Sequence, residues 1–174
     1  MSTPVSARLA SPHDEDAVIV AGWSRSTDEA RRWCSVEEHP FSPERVRRWW
    51  AETDVVPFLL IDEASAAPVG YGEVWVDEEE DEVELARLII DPARRRSGLG
   101  RELVTRLLVM ARATGKASCL LRVAPDNDPA LGLYRAAGFA EVDPDRTAEW
   151  NQGQPTNYVW FEWPGSIGED RVAE

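Results

Sequence analysis

The residues of this chain best suited to bind a charged ligand form a loop at positions 94–101. Its sequence is Arg-Arg-Arg-Ser-Gly-Leu-Gly-Arg. Glycine lets a loop turn tightly and lets backbone N–H groups approach a ligand. The free N–H groups at the start of a helix attract anions, and arginine adds charge-assisted hydrogen bonds to phosphate. The loop therefore predicts a phosphate site, with a plain glycine turn before an arginine-rich surface helix as the alternative.

Two common phosphate-binding motifs are missing from this loop. It lacks the Gly-Lys-Ser/Thr ending of a nucleotide P-loop. It also lacks the Gly-x-Gly-x-x-Gly fingerprint of dinucleotide-binding folds. Neither of those two ligand classes is therefore expected here.

The distribution of charge supports an anionic ligand at the same place. The chain carries a formal charge of −13, yet residues 94–122 hold eight basic residues against one acidic residue. This segment has a net charge of +7, which leaves −20 for the rest. The overall charge argues against nucleic acid or an anionic membrane as partner, because both would be repelled. It is compatible with a cationic substrate, although acidity also keeps proteins soluble.

The elements that must position this loop can be predicted from hydropathy and turn signals. A strand at 84–90 precedes the loop, and Leu99–Ala113, with Leu99, Leu103 and Leu107 four residues apart, predicts an amphipathic helix. A strand at 69–76 is expected to place Tyr71, Glu73 and Trp75 on one face. Other predicted strands are 57–62, 118–124, 139–142 and 158–163, and other predicted helices begin at Ser11-Pro12, Ser42-Pro43 and Asp128-Pro129.

These elements indicate one α/β (α+β) domain built on a largely antiparallel sheet. We expect the domain to occupy residues 1–165, with residues 166–174 as a flexible tail. The six acids at 77–82 are expected to form a solvated hairpin tip.

Targeting and metal-binding signals are weak. The N-terminus has no apolar h-region, and no apolar run reaches the ~20 residues that span a bilayer. Cys34 and Cys119 are expected to be reduced thiols, and the isolated His13 and His39 do not suggest a metal site. A cytoplasmic location without a metal is therefore expected.

The segment from about Val69 to Val142 resembles the GNAT superfamily of N-acetyltransferases. In motif A of that family, Gln/Arg-x-x-Gly-x-Gly/Ala binds the pyrophosphate of acetyl-CoA, and Arg95, Gly98 and Gly100 stand at its three defining positions. A second segment resembles motif B of the same family: Asn127-x-x-Ala-x-x-Leu-Tyr134, followed by Gly-Phe. The resemblance implies the GNAT fold, a central, mostly antiparallel mixed sheet with two splayed parallel strands, flanked by helices.

The resemblance also implies where acetyl-CoA, the cosubstrate, would bind. It would lie between strands 84–90 and 118–124, with its pantetheine arm paired to backbone groups and its pyrophosphate on the loop amides. The implied cofactor-binding residues are Leu88, Ile89, Ile90, Arg95, Arg96, Ser97, Gly98, Leu99, Gly100, Arg101 and Asn127. For Asn127 the alternative is a helix cap.

Two loop positions depart from the family pattern. Arg96 stands where glycine is common, and Ser97 where a basic residue is common. If the loop needs a positive φ at position 96, Arg96 would be strained. Either the loop tolerates this strain, or Arg96 itself reaches a phosphate.

Two residues are implied as catalytic. Glu84 resembles the glutamate that serves as the base in histone-acetylating members, with a merely solvated carboxylate as the alternative. Glu73 is the alternative base. In another branch of the family the base stands near the middle of the strand after motif A, but that position holds Arg122 here, so this option is excluded. Tyr134 stands at the usual general-acid position near the thiol, with a packing tyrosine as the alternative.

The acceptor site would be lined by Glu73, Trp75 and Trp33. Tryptophans can cradle a cation, and further ones stand at positions 23, 49, 50 and 150. With the acidic background they favour a small cationic amine, such as a polyamine, an aminosugar or an amino-acid derivative. The alternatives are a protein or peptide amine, or a silent acyl-CoA-binding regulator. A homodimer is possible, since many relatives dimerise.

Overall fold

The computed structural model describes residues 5–165 and 167 of the chain. The tail predicted at 166–174 lies outside the described residues apart from Ile167, which is buried. Within the described part, no helix is long and apolar enough to cross a bilayer.

Seven strands form a single sheet with the spatial order β1-β2-β3-β4-β5-β7-β6. All neighbouring strands are antiparallel except β4 and β5, which are parallel. This arrangement confirms the mixed, mostly antiparallel sheet that was predicted. The strands are β1 (Ala7–Ala10), β2 (Val55–Asp62), β3 (Pro68–Asp77), β4 (Glu82–Ile90), β5 (Ser118–Val123), β6 (Ala140–Glu141) and β7 (Val159–Glu162).

Helices cover both faces of the sheet. The apolar stripe of α4 and residues of α5 pack on one face, where Leu103, Leu107 and Phe161 are almost fully buried. The three N-terminal helices pack on the other face against Leu59, Tyr71 and other residues of β2 to β4. The helices are α1 (Asp16–Gly22), α2 (Thr27–Cys34), α3 (Pro43–Trp50), α4 (Leu99–Ala113), α5 (Asp128–Ala137) and α6 (Pro144–Trp150).

The parallel strands β4 and β5 separate along their length. They pair only from Glu82–Ser118 to Glu84–Leu120. Residues 85–90 of β4 therefore have no partner on β5. On the other side of the gap, β5 forms hydrogen bonds with β7 instead. The result is an open cleft between two strands, in the place where the resemblance implied one.

Sequence reasoning missed three elements. Helix α2 begins after Ser26, whose hydroxyl accepts from the Glu29 amide at 3.1 Å, and α6 begins after Asp143, which caps the amide of Arg146 at 3.0 Å. The Ser-x-x-Glu and Asp-Pro patterns at these points were available signals. Strand β1 has only four residues and is defined by its pairing with β2. Helix α1 begins at Asp16, later than Ser11-Pro12 suggested.

Candidate functional site

The arginine-glycine loop lies at one end of the cleft and ends in α4. Gly98 caps the helix with φ 85°, a left-handed conformation that suits glycine. The next three backbone amides, of residues 99–101, belong to the first helical turn, where no helix carbonyl can accept from them. These amides and the positive end of the helix dipole are groups that attract anions, and the phosphate site assigned to them from the sequence stays a prediction.

Close packing explains the second glycine of the loop. A Cβ added to Gly100 would lie 3.1 Å from Leu133 Cδ2 of α5. Glycine therefore lets α4 and α5 approach each other beside the cleft.

The two unusual loop positions have different environments. Arg96 adopts φ 60°, so the positive φ considered from the sequence is present at a non-glycine residue. Its side chain is exposed, as is that of Arg101. Ser97 donates its hydroxyl to the carbonyl of Arg94 at 2.5 Å, which closes the turn.

The Arg95 side chain contacts protein groups on β4 and on α2. Its Nε donates to the Ile90 carbonyl at 3.2 Å, and its Nη1 lies 3.0 Å from Glu29 Oε1 on α2. Burial raises the pKa of Glu29, but hydrogen bonds from Arg25 and Arg95 lower it more, to about 2. The Glu29 carboxylate therefore stays ionised near neutral pH and places a negative charge beside the Arg95 guanidinium.

The backbone segment implied to face the cofactor runs along the free edge of β4. The side chains of Leu88 and Ile90 pack against the core beneath α4, whereas Ile89 is buried against the N-terminal helices. Any contact from Ile89 to a ligand in the cleft would therefore come from its backbone.

Glu84 lies at the closed end of the cleft, at the last β4–β5 pair. Its Oε1 is 2.8 Å from Nε of Arg122, and its side chain is half-buried. Burial raises the pKa of Glu84 to about 7, and the nearby Glu82 also raises it, while Arg122 opposes both. A carboxyl group that exchanges a proton near neutral pH is suited to act as a general base.

Arg122 lies among aromatic rings on the same face of the sheet. Its Cζ is 5.2 Å from the Trp160 ring centroid, 5.4 Å from Tyr158 and 5.5 Å from Trp75. Its Nη1 donates to Gln154 Oε1 at 3.1 Å. The positive charge against these three rings is therefore that of Arg122 itself.

Tyr134 lies on the opposite face of the sheet from Glu84. It is buried in the core beneath α4, where its ring contacts those of Phe161 and Phe139. Burial raises the pKa of its phenol well above the usual value, so the hydroxyl stays protonated. The hydroxyl forms no hydrogen bond to the other described residues.

Asn127 caps α5. Its side-chain oxygen accepts from the Ala130 amide at 3.4 Å, which is the capping role considered from the sequence. The side-chain NH₂ is left for other partners. Asp126, the residue before it, binds Arg31 and Arg32 of α2 at 2.6 Å and 3.2 Å.

Glu73 differs from the expectation that it lines an acceptor pocket, because its side chain is 0% exposed. It accepts from the hydroxyl of Tyr71, from Trp75 Nε1 at 2.5 Å and from Arg87 Nη1 at 3.0 Å. Burial raises the pKa of Glu73, and Arg87 opposes this. The carboxyl group is fully engaged by the protein, so it supports neighbouring residues and does not face a ligand.

Tryptophans of this face are also engaged within the protein. Trp33 donates Nε1 to the Arg87 carbonyl at 2.7 Å, and its ring contacts Trp49 and Phe41. The Arg87 guanidinium lies 4.1 Å from the Trp49 ring and 4.7 Å from Trp75. Sequence reasoning overlooked Arg87, which carried no motif signal.

An acidic cavity of about 570 Å³ adjoins Glu84 and Trp75. Its other charged lining residues within the described part of the chain are acids from the α3–β2 connection and the β3–β4 hairpin: Glu52, Asp54, Asp77, Glu78, Glu79 and Glu82. The acid run predicted as a solvated tip is mostly exposed, and part of it forms this wall. Among the described residues, no group of three His, Cys, Asp or Glu side chains has a metal-binding arrangement.

The site as a whole fits acetyl-CoA. Free amides and exposed arginines stand where a pyrophosphate would lie, and the free edge of β4 can pair with an extended arm. Glu84 marks the far end of the cleft, where a reacting group would be placed.

The sequence matches the family described as Acetyltransferase (GNAT) family over residues 24–139. The chain is 33% identical over 86 residues to an IAA acetyltransferase of Azospirillum brasilense, covering 49% of this chain and 56% of that protein. It is 31% identical over 131 residues to a mycothiol acetyltransferase of Clavibacter michiganensis subsp. michiganensis, covering 70% of this chain and 43% of that one. The chain thus spans about half the length of these curated relatives.

A solved structure shows the same fold. The spermidine N-acetyltransferase of Vibrio cholerae, in complex with CoA and spermine, superposes with a TM-score of 0.67 at 21% identity, covering 79% of this chain and 82% of that one. At 21% identity, this likeness shows that the two proteins share a fold and does not show a shared substrate. Together with the family match over most of the chain, the splayed strands and the glycine loop show that this protein belongs to the acetyltransferase (GNAT) family.

Proposed function

We propose that this protein transfers the acetyl group of acetyl-CoA directly to a primary amine of a small, cationic molecule. One observation carries the proposal: Glu84 lies where β4 and β5 part and also lines the acidic cavity. The cleft for the acyl donor and the cavity for a cation therefore meet at a carboxyl group able to accept a proton.

The chain's residues account for each proton in the transfer. The amine nitrogen attacks the thioester carbonyl carbon, the C–S bond breaks, and an amide bond forms. Glu84 takes the proton that the amine loses, and Tyr134 gives a proton to the departing thiolate. Solvent then removes the first proton and restores the second.

The protonation states suit these roles to different degrees. An alkyl amine has a pKa near ~10, so its neutral form is scarce at pH 7 and a nearby base helps. Burial holds the pKa of Glu84 at about 7, so both its carboxylate and its protonated form are populated near neutral pH. Burial keeps Tyr134 protonated but also makes it a weaker acid than a free phenol, so its proton passes to the thiolate only as the C–S bond breaks.

The acidic cavity supports a cationic acceptor. Among the residues that the structure describes, seven carboxyl groups including Glu84 line it and no basic residue does. A molecule with a second positive charge could place that charge among the acids while its reacting amine meets Glu84. The aromatic rings of Trp49 and Trp160 support the proposal less, because Arg87 and Arg122 already occupy them.

A thiol-release assay with acetyl-CoA tests the proposal. Three panels are compared at equal concentration: polyamines and aminosugars, amino-acid derivatives, and peptides with free N-terminal or lysine amines. We expect release with small multivalent cations, suppressed by high salt because screening weakens charge attraction. Release with peptides alone would identify a peptide acetyltransferase. CoA binding without release in any panel would identify a silent regulator.

A further inference from the structure

Strand β4 contains a bulge at the point where it leaves β5. Two β4 residues, Arg87 and Leu88, lie opposite the single β3 residue Gly72. Arg87 has φ 51°, a left-handed conformation that non-glycine residues rarely adopt. A strained residue of this kind persists only when its surroundings hold it.

Close packing fixes the position of the bulge. A Cβ on Gly72 would lie 2.7 Å from Leu107 Cδ1 and 3.2 Å from Leu88 Cγ. Glycine therefore leaves the space into which Leu88 packs, and the extra residue of β4 must be accommodated here.

The surroundings hold both the side chain and the main chain of Arg87. The guanidinium is paired with the buried carboxylate of Glu73 at 3.0 Å and lies between the rings of Trp49 and Trp75. The carbonyl of Arg87 accepts from Trp33 Nε1 at 2.7 Å. Trp33 of α2 and Trp49 of α3 therefore both contact Arg87 of β4.

The bulge lies beside the cleft between β4 and β5. It follows the last β4–β5 pair, at Glu84, and lies within the segment 85–90 that has no partner on β5. This is the end of the cleft where the acyl group would lie. A change in the backbone direction at residue 87 would therefore move the amides that face that group.

We propose that the Glu73–Arg87 ion pair is a positioning element for acetyl transfer, which holds Arg87 left-handed and so directs the backbone of residues 87 and 88 toward the acyl group. This inference rests on the proposed function. Glu73 has no exposed surface and only 16% of the Arg87 side chain is exposed, so both act through the backbone and not by contact with the amine.

A pair of substitutions at one position tests the proposal. Arg87→Ala and Arg87→Gly both remove the guanidinium, but only glycine adopts a left-handed conformation freely. We expect kcat to fall in both, about tenfold further in the alanine variant, with the KM for the amine unchanged. Ala66→Gly is the control, because Ala66 is also left-handed (φ 56°) but lies in the β2–β3 turn, and kcat should not change.

A second readout does not depend on turnover. The backbone amide resonance of Leu88 should stay near its wild-type position in Arg87→Gly and move in Arg87→Ala. Circular dichroism melting shows whether each variant folds. If Arg87→Ala does not fold, Glu73→Gln replaces it, and an unchanged kcat in that variant would overturn the proposal.

The remaining outcomes separate this inference from the proposed function. Equal losses of kcat in the alanine and glycine variants, or a rise in the KM for the amine instead, would overturn the positioning role while the enzyme remains an acetyltransferase. An absence of wild-type CoA release with every amine would overturn the proposed function, and this inference with it.

Discussion

The Nε of Arg122 lies 2.8 Å from Oε1 of Glu84, although the strand partner of Glu84 in the last β4–β5 pair is Leu120, two residues before Arg122. Burial raises the pKa of Glu84 to about 7, and the positive charge of Arg122 keeps it from rising further. Two opposing effects thus set the protonation of one carboxyl group at the closed end of the cleft.

Replacing Glu84 by glutamine should remove the base. In the wild type the rate should rise through about pH 7, because the carboxylate becomes available as its proton is lost. In Glu84→Gln this limb should be absent and kcat about 100-fold lower. The measurement is kcat against pH from 5.5 to 9, with the exposed Glu15→Gln as control. If the limb persisted unchanged in the glutamine variant, Glu84 would have no part in proton removal.

Replacing Arg122 by methionine should move the same limb to higher pH. The arginine lowers the pKa of Glu84, so its loss leaves burial unopposed and the carboxylate forms only at higher pH. The activity lost at pH 7 should therefore be recovered at alkaline pH. Titration of ¹³C-labelled glutamate carboxyls by NMR gives an independent value. A limb that moved to lower pH would contradict this account of the pair.

Replacing Tyr134 by phenylalanine should slow the transfer without weakening cofactor binding. The ring packs against Phe161 and Phe139, and phenylalanine preserves that packing. We expect kcat to fall about 10- to 100-fold, while the Kd for CoA measured by calorimetry changes less than twofold. Weaker CoA binding with an unchanged kcat would show that the hydroxyl serves binding and not proton donation.

Replacing Glu29 by glutamine should tighten CoA binding. Glu29 stays ionised near neutral pH and pairs with Arg95 of the arginine-glycine loop, which we expect to bind the pyrophosphate as well. Because the pair is partly exposed, we expect a gain of two- to fivefold in affinity. The gain should shrink at 0.5 M salt. An unchanged Kd at low salt would mean that Arg95 does not contact the phosphates.

Replacing Gly98 by alanine should destabilise the fold. Gly98 has φ 85°, where an added Cβ is disfavoured by about 1–2 kcal/mol. Gly132→Ala is the matched control, because Gly132 lies within α5 with no atom near an added Cβ, and it should stabilise by about 0.5–1 kcal/mol. Urea unfolding measures both. Equal effects of the two substitutions would contradict the conformational explanation.

The sequence was sufficient for the features that depend on neighbours along the chain. The glycine loop and α4 follow from residue types at fixed spacing, and so does the shared face of Tyr71, Glu73 and Trp75. Motif spacing also indicated the family and therefore the splayed strands. Helix α2 could also have been predicted from the sequence, because Ser26 and Glu29 form a local capping pattern.

Other features were decided by contacts between residues distant in the chain. The sequence shows Glu73 as one more acid, but folding buries it and pairs it with Arg87, whose guanidinium also contacts the rings of Trp49 and Trp75. Likewise, Glu84 meets Arg122 only because β4 and β5 pair for three residues and then diverge. Charge and pKa depend on burial and on such partners, so the sequence alone determined which groups could react, and tertiary structure decided which are accessible and in what protonation state.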